Sequence, residues 1–173
     1  MRKSIWTRWI GCLSTMILLF SLACFAQDKA PIPSQLRTAK KIFVSNAGAD
    51  SGLFPEPFSG APNRGYNQLY TAIQTLGRYQ LVDSPEDSDL VLELRLFAPN
   101  GPANANKQKG ASDPLPMFRL AIYDAKTRFT LWALTQSIDP AVLQKTHDHN
   151  FDTALTTLVY GFDNLTKPAA AAP

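Results

Sequence analysis

The chain has 173 residues, 45% hydrophobic and 18% charged, with a formal net charge of +3. That length suggests one domain, long enough to bury a real core. The positive charge gives no support for a nucleic-acid partner, because Arg2, Lys3 and Arg8 carry it; without them 14 basic residues face 14 acidic ones.

Those three residues open a segment, 1–26, that reads as a secretory signal peptide. An apolar run over about residues 10–25 follows them, and Ala26, with small Cys24 two positions before it, gives an A-x-A-like cleavage site ahead of Gln27. The alternative is an uncleaved membrane anchor, for which the run is short and broken by Gly11, Ser14 and Ser21. Cys12 and Cys24 are the chain's two cysteines. Cleavage leaves none, and with them go any disulfide, thiolate nucleophile or zinc–thiolate site. Ser21-Leu22-Ala23-Cys24 also partly resembles a bacterial lipobox, with Ser21 where leucine is usual, so Cys24 is a lipidation candidate.

Residues 27–39, with Pro31 and Pro33, read as an extended linker. Residues 40–46, K-K-I-F-V-S-N, form a first strand. The next stretch, 47–65, holds four glycines and three prolines and is a long loop, with Leu53, Phe54 and Phe58 as buried anchors. Tyr66, Leu69, Tyr70, Ile73 and Leu76 then recur at helical spacing, with Asn63 a candidate cap and Gly77 the stop. Residues 79–82 are a short strand, and Ser84-Pro85-Glu86-Asp87 is a capped helical turn. Residues 89–97 alternate Leu90, Leu92, Leu94 and Leu96 against Val91, Glu93, Arg95 and Phe97, the mark of a central strand with one apolar face. Glu93 and Arg95 share the other face and are expected to form a surface pair there or to lie under a cover. A second long loop, 98–116, precedes two strands, 117–124 and 128–138, joined by a tight turn at Asp124-Ala125-Lys126-Thr127. Tyr123, Phe129 and Trp132 read as core. Residues 141–150 are ambiguous, and a last helix over about 150–165 carries Phe151, Leu155, Leu158, Phe162 and Leu165. The alanine- and proline-rich end, 167–173, reads as a disordered tail.

Two phrases carry a resemblance: G-R-Y-Q-L-V-D-S-P-E-D-S-D-L-V-L-E-L at 77–94 and Y-D-A-K-T-R-F-T-L-W-A at 123–133. Together they resemble the small α/β domain of the TolB N-terminal domain and of CsgG-like and LpoB-like bacterial envelope lipoproteins. Tyr79, Leu81, Val82, Asp83, Pro85 and Asp89 match the phrase that leads into the central strand. Asp124, Thr127, Leu131 and Trp132 match the hairpin after it. Ser88 departs from the alanine of that pattern and Arg128 from its glycine. The resemblance implies a scaffold or partner-binding module of the envelope over residues 40–166, and it supplies no catalytic set.

Of candidate chemistry, Gly48-Ala49-Asp50-Ser51-Gly52 faintly resembles a protease serine, but a nucleophilic serine needs a base and an orienting group, and a turn is the plainer reading. His147 and His149, with Asp152 beyond, are weak metal candidates: two histidines so spaced diverge on a helix and chelate together best from extended chain. The plainer reading has Asp148 or Asn150 as a helix cap and the histidines in solvent. If the first and central strands run parallel, both long loops leave one edge of the sheet, where open α/β sheets tend to bind ligands. Asp50, Phe54, Phe58, Asn63 and Arg64 from the first loop, and Asn100, Asn104, Asn106, Lys107 and Lys109 from the second, are then the candidate binding residues.

The expected architecture is a two-layer α/β domain, a mixed sheet of four or five strands with two helices on one face, in the order β-α-β-β-β-β-α. The expected function is an exported, periplasmic or secreted, non-enzymatic envelope protein, without cofactor, that binds a protein or a cell-wall or glycan component through loops 47–65 and 98–116. It would be membrane-attached only through Cys24 or an uncleaved signal segment. The alternative is a periplasmic hydrolase or metal-dependent enzyme built on the same loops and the His147 and His149 region.

Overall fold

The computed structural model describes residues 30–99 and 116–167. Its centre is the leucine strand, β3 (Leu90–Phe97), in which Leu90, Leu92, Leu94 and Leu96 are all buried. β1 (Lys41–Ala49) lies parallel on one side, with Ile42 beside Leu90 and Val44 beside Leu92. On the other side β4 (Met117–Asp124) runs antiparallel, with Leu92 opposite Ile122, Leu94 opposite Leu120 and Leu96 opposite Phe118. A short β2 (Gln80–Val82) and an eight-residue β5 (Thr130–Ser137) complete a mixed five-stranded sheet in the order β2-β1-β3-β4-β5.

Both long helices cover the leucine face. One-residue alternation sends every second side chain there, so burying that face is what fixes the register. The crossover helix follows β1 and the C-terminal helix follows β5. The lead-in, expected to be extended, instead makes a helical turn, α1 (Gln35–Thr38), whose Leu36 is buried in the same core. α2 (Arg64–Thr75) approaches closely through Gly65, where an added Cβ would lie 3.2 Å from the Phe118 ring and 3.5 Å from Leu94 and Phe151. α3 (Gln144–Thr166) sets Phe151 edge-on to Phe118 at 4.9 Å between ring centres. Its chain passes Leu134 of β5 at Gly161.

Several local expectations are corrected. β1 runs three residues further than its polar end suggested, and α3 begins at Gln144 rather than near 150. Asp148 and Asn150 therefore lie inside the helix and cap nothing; tertiary partners of Asp148 hold the extra turns. Glu93 and Arg95 do share the face opposite the leucines but bond elsewhere: Glu93 accepts from the Tyr123 hydroxyl at 3.1 Å, and Arg95 donates to Asp50 at 3.0 Å. Phe129 is 74% exposed, because it falls in the hairpin turn before β5 begins. The turn itself is as expected: the Asp124 carboxylate accepts from the Lys126 and Thr127 amides, both at 2.8 Å. Ser84 likewise caps the short 3-10 turn Pro85–Asp87 by accepting from the Glu86 amide. Ser88 is buried and donates to the Pro85 carbonyl at 2.8 Å, a use for the hydroxyl that alanine would lack.

Candidate binding surface

Because β1 and β3 are parallel neighbours, both release the chain at the same edge of the sheet. Asp50 sits where they part. Its amide donates to the Leu96 carbonyl at 3.0 Å, and its carboxylate accepts from Arg95 at 3.0 Å and from the Ala98 amide at 3.1 Å. The Arg95 hydrogen bond, with help from the Ala98 amide and against some desolvation, holds this carboxyl below its ordinary value. Asp50 thereby ties the start of the first loop to the start of the second.

The first loop, residues 50–63, is pinned from beneath. Leu53 and Phe58 are buried, and Phe58 packs on Phe151 at 5.2 Å. Arg64, at the loop's end, draws it onto α3. Its guanidinium donates to Asp148 and Asp152, both at 2.6 Å, and to the Ser59 carbonyl at 3.1 Å, while stacking 4.4 Å from the centre of the Phe151 ring. Asp148 also accepts from the Ser59 amide at 2.9 Å. Burial works to raise its pKa, but the bonds from Ser59, Arg64 and Gln144 outweigh it and lower the carboxyl to about 2.

The expected site residues thus divide. Asp50 and Arg64 are the edge's structural ties, Phe58 is a core anchor, Phe54 is half-buried and Asn63 is exposed. Asn100, Asn104, Asn106, Lys107 and Lys109 lie outside the described residues, as does Cys24. His147 and His149 are both inside α3 and two positions apart, so they diverge. His147 is half-buried, edge-on to Phe58 at 6.2 Å, and His149 is exposed. The Asp152 carboxylate is taken by Arg64 and by Gln68, which donates at 2.9 Å. Among the described residues no three metal-ligating side chains are grouped. No helix among them is long and apolar enough to cross a membrane.

A second feature lies on the sheet face opposite the long helices, between two segments that the sequence shows only as turns. The 3-10 turn and the β4–β5 hairpin frame a groove of about 360 Å³, floored by Val91 and walled by Glu86, Glu93, Tyr123 and Arg128. Burial, then the bond to Glu93, pushes the Tyr123 phenol above its ordinary value. The visible signal was Arg128, which stands where the resembling pattern has glycine and takes a left-handed φ of 62°.

The geometry defines a two-layer α/β domain in which, among the described residues, both long helices lie on one face of the sheet and a loop edge is built up at its end. No protein-family model matches the sequence, and no curated protein matches it. Among solved structures it is similar to a DUF4136 family protein from Bacteroides thetaiotaomicron, at 11% identity and a TM-score of 0.49 over 81% of this chain and 94% of that one. It is also similar to the PelC dodecamer from Paraburkholderia phytofirmans, at 10% identity and 0.42 over 81% and 96%, and to a DUF330 protein from Xanthomonas campestris, at 11% and 0.41 over 74% and 82%. This is distant structural similarity.

Proposed function

We propose that the protein is a non-enzymatic binding module of the bacterial envelope that engages a protein or cell-wall glycan at the edge where β1 and β3 end. The observation that carries the reading is Asp50: one carboxylate and one amide gather Leu96, Arg95 and Ala98, so the first loop and the chain entering the second leave side by side. Loop tips held on a rigid scaffold are where binding residues concentrate. Export rests on the signal-peptide pattern of residues 1–26, and an envelope role is supported by the TolB-, CsgG- and LpoB-like phrases at 77–94 and 123–133. His147 packs on Phe58 and Asp152 serves Arg64, while His149 is exposed.

The test is photocrosslinking in cells from exposed Asn63 and Ser51, with exposed Tyr160 on α3 as the control. The reading requires a discrete adduct from the loop positions and none from Tyr160. Adducts of equal yield from all three, or none from the loop, would sink it.

A further inference from the structure

The two edges of the sheet are unlike. β2 is three residues long, short enough to offer little template. β5 is eight residues, T-L-W-A-L-T-Q-S, with no charge, proline or glycine in it. Proteins ordinarily protect such an edge with lysine, proline or a covering segment, because its unpaired amides and carbonyls recruit other strands.

Which groups point outward follows from the ladder. The Ile138 amide donates to the Pro116 carbonyl at 2.8 Å, and the register places Gln136 on Phe118, Leu134 on Leu120 and Trp132 on Ile122. Hydrogen-bonded pairs alternate in an antiparallel ladder, so these residues bond inward to β4. Ala133, Thr135 and Ser137 turn their amides and carbonyls outward, and all three side chains are small and exposed. Among the described residues the sheet ends at this strand.

We infer that β5 is a strand-pairing interface whose occupant is a second copy of this chain, joined antiparallel about a two-fold axis. The strand is its own complement. Its body is neutral, so no like charges meet across the axis, while Arg128 flanks its start and Asp139 its end. Antiparallel pairing brings each Arg128 towards the partner copy's Asp139 at both ends of the ladder. It also brings exposed Phe129, at 74%, towards the end of the other β5, where the chain continues into exposed Val142, at 97%, and Leu143, at 68%. Among the described residues, three of the large exposed apolar side chains thus flank the longer edge strand, whose register shifts only at Leu131, near its start.

The experiment is light scattering of the full chain across a concentration series, joined to amide exchange at Ala133, Thr135 and Ser137. The expected result is a mass that doubles with concentration while exchange at those three amides slows. Ala133→Lys, which places a charge on the outward edge and leaves the β4 bonds intact, should weaken association at least about tenfold. Arg128→Asp or Asp139→Arg should each weaken it, and the two together should restore it. A chain that stays monomeric, whether or not some other extended peptide binds the edge, overturns the inference. So does association that leaves the three amides exchanging at the same rate. Should the lysine variant fail to fold, wild-type exchange decides alone.

Discussion

Arg64 joins the end of the first loop to two successive turns of α3, and its planar fork suits the paired carboxylates of Asp148 and Asp152. The bridge to Asp148 is the better shielded, since Asp152 is half exposed. Replacing Arg64 with alanine leaves Asp148 partly buried without its cation, and should cost about 2 kcal/mol in urea denaturation. Arg64→Lys should recover less than half of that loss, because an ammonium cannot fork. The same site makes stability depend on pH. Asp148 lies at about 2 in the fold against an ordinary 3.8, so its contribution is complete above the unfolded value and lost as pH falls through the folded one. Stability of the wild type should therefore fall between about pH 4 and pH 2, and the slope should be shallower in Asp148→Asn.

Among the elements, α2 and the β4–β5 hairpin each hold one residue chosen by backbone or space. Gly65 lets α2 settle onto β3 and β4, and a larger side chain would meet the rings of Phe118 and Phe151. Gly65→Val should destabilise by about 2 kcal/mol, read as a lowered midpoint of unfolding. Arg128 is the opposite case, an L-residue in a left-handed conformation beside the groove. Arg128→Gly should raise stability by about 1 kcal/mol in the same assay. The elements were legible where a period ran long enough. The leucines of β3, the stripe of α3 from Phe151 to Phe162 and the Ser84 cap all fall as the sequence says. The first turns of α3 were not legible, because Gln144, His147 and Asp148 form no apolar stripe; the loop and Arg64, distant in sequence, hold them. Phe129 misled for the complementary reason: alternation marks it as core, but the strand had not yet begun.

For the molecule as a whole, the helices take one face of the sheet and leave the other with Glu93, Arg95, Tyr123 and the groove beside Arg128. Parallel strands are usually covered on both sides, and on this second face Phe43, Val91 and Glu93 are half-buried and Ala121 is buried. The proposed partner takes the end of the sheet and the proposed second copy takes its side, and the two adjoin where β5 finishes, since Phe97 pairs with Met117 and Met117 with Ser137. A dimer formed through β5 should still yield loop crosslinks from Asn63, and Ala133→Lys should leave that crosslink yield unchanged.

By itself the sequence determined the two-layer α/β class, the leucine strand at the centre and the order of elements around it. Those depend on local periods, on caps and on turn chemistry, all carried by residues near one another in the chain. The tertiary structure decided what Asp50, Arg64 and Asp148 do, since each finds its partner more than 40 residues away. It also decided which strand became the long edge of the described sheet. A strand's pattern records which of its faces is buried, and does not record whether a neighbour lies beside it.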